Sequence, residues 1–261
     1  MADPEVPLSR AALVLAALDH AGRPLSRYEE HLDVLAADVA IRVTDPEAPI
    51  DTCAEVLSQV LADEYGYTGD QVTYDNLANA NLMDVIDRRK GMPIALGILY
   101  IHAARAQGWT CNGLSLPGHF LIELSRGEHR TVLDPFGNGR MLAMHDLQQL
   151  IQRLGGVSGR AAAHVLAPAD NRAILIRLQN NIVERLLRAK SYENAARVIE
   201  RMVMLSPGES RLWYQLGTVL AKSGNLGAAM RALEQCLMQK PGGGIERDAA
   251  LALHQLKRSL N

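Results

Sequence analysis

The C-terminal third of the chain repeats with a period of 34 residues. Moving the segment Arg211 to Pro241 back by that interval sets Leu216 on Ile182, Leu220 on Leu186, Ala229 on Ala195, Leu233 on Ile199, Cys236 on Met202 and Pro241 on Pro207. Each copy reads as helix, short turn, helix, proline, with turns at Lys190-Ser191 and Ser223-Gly224-Asn225. The small residues let two helices approach closely, and Leu and Ile fill the space between them. The proline stops the second helix because it cannot extend the hydrogen-bond ladder. A last segment, Ile245 to Leu260, keeps the helical period and is expected to cap the final apolar face. An ordinary helical bundle with accidental spacing is the alternative.

A 34-residue period with these small and large positions resembles the tetratricopeptide repeat. The second copy, about 210–241, carries Trp213, Leu216-Gly217 and Ala229; the first, about 174–207, has Gln179 and Val183 where the second has Trp213 and Gly217. Such hairpins usually bind peptides or proteins. Two of them offer a small face, and packing against the rest of the chain is the other expectation.

The upstream region changes character. Apolar residues at helical spacing run from Leu8 to His20, Tyr28 to Ile41 and Thr52 to Tyr65. Thr44-Asp45-Pro46-Glu47 looks like a helix start that Pro49 interrupts. Asn79 to Gly91 reads as a short helix ending in the basic turn Arg88-Arg89-Lys90 and a glycine. Pro93 suits the first turn of a new helix, where its missing N–H costs nothing. That helix runs to Gln107 and is apolar nearly all round, so it should be buried. The period then falls to two: Phe120 to Leu124 and Thr131 to Leu133 are expected strands joined by the turn Ser125 to Glu128, with Asp134-Pro135-Phe136-Gly137 closing the second. A hairpin packed on a buried helix makes the region α+β.

Helix, then a strand opening with His119, then a strand closing with Asp134 resembles the papain-like transglutaminase core. In that superfamily Gly-x-Cys heads the helix, His begins the next strand, and Asp or Asn ends the one after. The chemistry needs a thiolate whose pKa a helix N-terminus lowers, an imidazole to take its proton and a carboxylate to fix the imidazole tautomer. If Gly91 is the family glycine, the nucleophile position is Pro93, which has no thiol. The nearer resemblance is to SirB-type transglutaminase-like proteins with C-terminal tetratricopeptide repeats, a bacterial subfamily. It is carried by Asn79-Ala80-Asn81-Leu82, Val85-Ile86-Asp87-Arg88-Arg89-Lys90-Gly91-Met92-Pro93-Ile94, Pro117-Gly118-His119-Phe120-Leu121 and Leu133-Asp134-Pro135-Phe136-Gly137-Asn138-Gly139. It covers nearly all of the chain after about Ala40. In that subfamily the cysteine position is generally not cysteine, and no established activity comes with the resemblance.

The expected organisation is a transglutaminase-like domain over 1–160, with helical subdomain, buried helix and antiparallel sheet, and an all-α tetratricopeptide domain over 168–261. The expected function is binding of a protein or peptide partner without catalysis, with a regulatory role as a further expectation. His119 and Asp134 are then a vestigial pair lining a pocket, and Asn79, Arg88, Arg89, Gly91 and Pro93 are the candidate binding residues around it. Arg88, Arg89 and Lys90 read either as a solvated helix end or as an anion or acidic-peptide contact. The alternative is a cysteine-type hydrolase or acyltransferase using His119 and Asp134 with an atypical nucleophile such as Cys111. A metal site from His119, Asp134 and His129 or His145 is a third reading, with spacing that matches no ligand pattern.

Composition narrows the partners. A net charge of −2 does not favour wholesale binding to nucleic acid or to an anionic membrane. Cys53, Cys111 and Cys236 are too few and too scattered for a disulfide framework and fit a reducing compartment. The apolar run Ala11 to Leu18 is too short to span a bilayer, and the acidic N-terminus lacks a basic leader region, so the cytoplasm is the expected location. No cofactor is expected, and the oligomeric state is open.

Overall fold

A computed structural model describes residues 6–114, 116, 118–153 and 167–259. It divides into two compact units, Met1–Leu175 and Ile176–Asn261. The expected end of the first domain at residue 160, and Leu260 of the expected capping helix, lie outside the described residues.

The first unit opens with α1 (Leu8–Ala17), α2 (Leu25–Arg42) and α3 (Ile50–Ser58), which runs into a π-helical turn over Gln59–Glu64. The Thr44 to Glu47 segment is a turn and not a helix start. Asp45 accepts the Glu47 N–H on its side chain and the Ala48 N–H on its carbonyl, and the helix begins only after Pro49. A two-residue strand β1 (Thr68–Gly69) pairs in parallel with β2 (Lys90–Gly91). Between them lie a 3-10 turn, Leu77–Asn79, and α4 (Leu82–Arg88). The single short helix expected here is split because the Asn81 side chain accepts from the Met83 and Asp84 N–H groups and starts a new helix.

The centre of the unit is α5 (Pro93–Ala106), buried from Ile94 through Ile101. It packs on an antiparallel sheet of order β6-β5-β4-β3-β7: β3 (Thr110–Leu114), β4 (Leu121–Arg126), β5 (His129–Asp134), β6 (Arg140–Leu142) and β7 (Pro168–Ala169). The expected hairpin is thus the middle of a five-stranded sheet. The edge strands β6 and β7 are too short to leave a period-2 pattern, and β3 reads Thr-Cys-Asn-Gly-Leu, with too few β-branched or aromatic residues to mark a strand. Register pairs Ile122 with Leu133 and Gly113 with Ile122. Phe120 and Ile122 face α5, while Leu114, Leu116, Leu121 and Val132 join Leu147 and Ile151 of α6 (Met144–Arg153) on the other face. Alternation along one strand therefore feeds two cores, one on each side of the sheet.

Glycine makes the helix–sheet contact possible. A Cβ on Gly97 of α5 or on Gly113 of β3 would stand 2.5 Å from the Phe120 ring. Gly97→Ala is expected to cost about 1–3 kcal/mol through overpacking, and Phe120→Ala about 3–5 kcal/mol through the cavity it leaves; urea titration of each variant checks both.

The second unit continues α7 (Asn171–Arg188), within which the division falls, through α8 (Tyr192–Leu205), α9 (Ser210–Lys222), α10 (Leu226–Met238) and α11 (Gly243–Ser259). The small positions of the 34-residue pattern act as expected: Ala195 and Ala229 are fully buried, and a Cβ on Gly217 would fall 2.7 Å from Leu233. Trp213, Ile245, Leu253 and Leu256 pack around Leu233, Cys236 and Ala249, so α11 covers the apolar face left open by the second hairpin.

Candidate functional site

The segment from Asn79 to Pro93 is tied into a compact knot at the head of α5. The Arg88 guanidinium donates to Asn79 Oδ1 and to Asp70 Oδ2, both at 2.9 Å. Asp70 is 4% exposed and also accepts from the Thr73 N–H at 2.8 Å and the Thr73 hydroxyl at 2.6 Å. Asn79 is 1% exposed and donates to the Thr73 carbonyl, while its own carbonyl accepts the Met92 N–H. The Thr73 bonds, with Arg88 and Asn79 behind them, hold the Asp70 carboxyl well below the usual carboxylate range. Asn79 and Arg88 therefore clasp the 70–79 loop to the end of α4.

Arg89 stands in the left-handed region (φ 58°), which ends α4 and turns the chain into β2. Its guanidinium lies 4.7 Å from the Tyr67 ring centroid and 5.4 Å from that of Tyr65, donates to the Tyr67 hydroxyl, and meets His31 Nε2 at 2.7 Å. Burial, reinforced by the Arg89 charge, pushes the His31 imidazole down to about 4. The unfolded chain takes up this proton near pH 6.5 and the folded chain only near pH 4. Stability should hold above pH 7 and fall by on the order of 1–2 kcal/mol between those values, discounting for the ring's partial exposure. Urea unfolding at pH 7.5 and pH 5 measures the loss, and His31→Gln should abolish the slope.

Gly91 pairs with Gly69, and a Cβ on it would crowd Val85 at 2.9 Å. Met92 caps α5 and Pro93 is its first residue, half-buried. Asp134 ends β5 and caps the 3-10 turn Pro135–Gly137: Oδ1 accepts the Phe136 N–H at 3.0 Å, and the backbone carbonyl accepts from Gly139. Phe136 lies directly over Gly69, its ring 2.5 Å from where a Cβ there would be. This turn therefore sits beside the β1–β2 pair that leads into α5. His119 is exposed in the turn before β4, its N–H donating to the Leu116 carbonyl. Because β4 and β5 are antiparallel, His119 and Asp134 belong to the same end of the sheet. His119 and Asp134 thus share one end of the sheet, and the turn that Asp134 caps lies beside the strand pair that leads into Pro93.

Cys111 lies mid-strand in β3 opposite Leu124, 1% exposed. Burial pushes its thiol up to about 12; Arg105 opposes this and Glu123 adds to it. Cys53 and Cys236 are also buried, with their thiols shifted upward by burial. His129 pairs with Arg126 at the turn end of the β4–β5 hairpin, opposite to the Asp134 end, and His145 pairs with Asp146. Among the described residues no group of three His, Cys, Asp or Glu side chains is placed to hold a metal ion. The sequence reading passed over Asp70, His31, Tyr65 and Tyr67. Asp70-x-x-Thr73 is a local capping pattern that could have flagged the first, but the others meet Arg89 only through tertiary packing.

A buried helix on an antiparallel sheet, with His and Asp at one sheet end, is the architecture of a transglutaminase-like domain, and the helical hairpins that follow are tetratricopeptide repeats. The family model described as "Transglutaminase-like superfamily" matches residues 26–180, and "Tetratricopeptide repeat" matches residues 182–257. The chain belongs to the transglutaminase-like superfamily. It is 29% identical over 243 residues to a "UPF0162 protein" of Xylella fastidiosa (strain Temecula1), covering 92% of this chain and 86% of that protein. A "UPF0162 protein" of Vibrio cholerae is 31% identical over 156 residues, 59% of this chain and 57% of that one. "F-box only protein 21" of Mus musculus is 30% identical over 105 residues, 37% of this chain and 17% of that protein.

Proposed function

We propose that this chain binds a protein or peptide partner and does not catalyse acyl transfer, acting as a regulatory, non-catalytic transglutaminase-like protein of the cytoplasm. The observation that supports this is Pro93 as the first residue of α5, where the resemblance to the superfamily, with Gly91 as its glycine, would put the attacking thiol. A proline ring has neither a nucleophile nor an N–H for the helix terminus to offer. Two further features agree with it. Asp134 gives one carboxylate oxygen to its own turn, and Cys111 is held protonated within the sheet. The tetratricopeptide unit supplies helix surfaces of the kind that bind proteins. Among the described residues no helix is long and apolar enough to cross a membrane.

The test is affinity capture of partners by the full chain from cell lysate, with cross-linking and mass spectrometry. The expected result is one specifically enriched protein, cross-linked to the tetratricopeptide unit or to the surroundings of His119 and reduced by His119→Ala or by charge changes on the first helices of the hairpins. Recovery of background proteins alone, with a turnover assay lost in His119→Ala, would establish an enzyme instead.

A further inference from the structure

The 34-residue period carries an ion pair of the second hairpin onto a groove in the first. In the second hairpin Glu234 of α10 accepts from the Lys257 ammonium of α11 at 3.0 Å. One period back these positions are Glu200 of α8 and Ser223, the residue that follows α9. The carboxylate recurs and the cation does not. Among the described residues Glu200 has no ion-pair partner.

The same shift removes bulk. Met230, Lys257 and Arg258 of the second hairpin stand where the first has Ala196, Ser223 and Gly224. Helices α8 and α9 pack against each other. These three small residues, with Leu220 and Glu200, line a groove of about 600 Å³ between α8 and the turn that leads from α9 to α10.

The groove has an apolar part and a negative part. Ala196 is 3% exposed and Leu220 6%, so both belong to the packed interior of the hairpins and show only an apolar edge. Glu200 is exposed and supplies a carboxylate. Helix α9 ends in the groove, and the C-terminal end of a helix carries partial negative charge. The neighbouring cations are engaged: Arg197 Nη2 pairs with Glu193 Oε1 at 3.1 Å, and Lys222 Nζ lies 6.0 Å from the Tyr192 ring centroid. A lysine suits both parts, because its methylene stem can cover apolar surface while its ammonium reaches a charged partner.

We propose that this groove docks a single lysine side chain of the protein partner, its methylenes on Ala196 and Leu220 and its ammonium on Glu200. This deepens the partner-binding reading and rests on it. The second hairpin identifies the occupant, since there a lysine ammonium holds the matching glutamate. A polybasic segment is the poorer fit. Residues 176–261 hold 13 Lys and Arg against 7 Asp and Glu, net +6, which repels a run of cations. An exposed ion pair changes affinity only a few-fold, so the contact fixes which partner residue lies here more than how tightly the partner is held.

Nitrogen-15 NMR of the full chain tests this with the capped peptide acetyl-Ser-Ala-Lys-Ala-Ser-amide, against the same peptide with its lysine acetylated. The lysine peptide should shift the amides of residues 196–200 and 220–225, bind at least about threefold more tightly than the acetylated one, and weaken as salt rises. E200Q should reduce binding at least about threefold. S223K gives the first hairpin the lysine that the second has and should reduce binding as much, because the new ammonium takes Glu200. E246Q removes a carboxylate of the same unit outside the groove and should leave binding unchanged. The inference is overturned if the two peptides bind alike, if E246Q weakens binding as much as E200Q, or if S223K binds as well as the parent chain. Carbodiimide cross-linking to a partner captured from lysate should then join a partner lysine to Glu200. A specific partner joined elsewhere on the chain and never to Glu200 would remove the lysine groove and leave partner binding standing. Absence of any captured partner would remove both.

Discussion

Arg88→Met should lower the unfolding free energy by about 3 kcal/mol, because it leaves the Asp70 carboxylate buried without its guanidinium. The cost exceeds that of an exposed ion pair because Asp70 is 4% exposed, although the solvent-accessible Arg88 side moderates it. Asp70→Asn should cost less, about 1–2 kcal/mol, since the amide still accepts from Thr73. The two changes differ in their pH behaviour. Asp70 ionises in the folded chain well below its unfolded value. Its contribution is therefore complete above about pH 4 and is lost as the pH falls below that. Urea midpoints below about pH 4 should fall more steeply in the parent chain than in Asp70→Asn, while the His31 loss above that pH is common to both. Because the clasp fixes the 70–79 loop and the head of α5 together, Arg88→Met should also raise hydrogen exchange at Thr73, Asn79 and Met92, whose polar groups it holds in line.

Native-state alkylation should be slower than that of a free thiol by about a thousandfold or more. A thiol pushed up to about 12 is a thiolate in only a minute fraction of molecules at neutral pH, whereas a free cysteine near 8.5 is ionised to a few per cent or more. Cys111 is the decisive residue, since it is the one cysteine within the sheet that carries His119 and Asp134. Iodoacetamide at neutral pH followed by peptide mapping should leave Cys111 unmodified in the folded chain and modify it fully in urea. A thiol placed by design at the head of α5, in P93C, should react fastest of all, because a helix N-terminus favours the thiolate. If Cys111 labels in the folded chain faster than the P93C thiol, the sheet holds a nucleophile that its burial argues against.

Much of this organisation is legible in the residues. The hairpins can be read because small residues, large residues and prolines recur at 34, and packing demands them at those places: Ala195 and Ala229, both fully buried, are one such pair. The buried helix is legible because it is apolar on every side, and the central hairpin because alternation survives from Phe120 to Leu124. What could not be read lies in tertiary partnerships. Arg88 and Arg89 look alike in sequence, as consecutive cations at a helix end. In the fold one meets a buried carboxylate and the other two tyrosine rings and an imidazole. Asp134 is readable as a strand end, but its bond to the Phe136 N–H is a local turn contact that a spacing pattern cannot separate from a role toward His119. Asp70 and His31 carry no periodic signal, and their roles arise from segments 18 and 58 residues away.

The central claim is that nothing at the head of α5 can form an acyl-enzyme. It is tested most directly by incubating the full chain with an activated acyl ester and a labelled primary amine, with intact-mass spectrometry of the protein. The expected result is the unmodified mass, with amine incorporation no greater than in a variant with Cys53, Cys111 and Cys236 all changed to serine. A covalent acyl adduct on the chain that disappears in His119→Ala would contradict it.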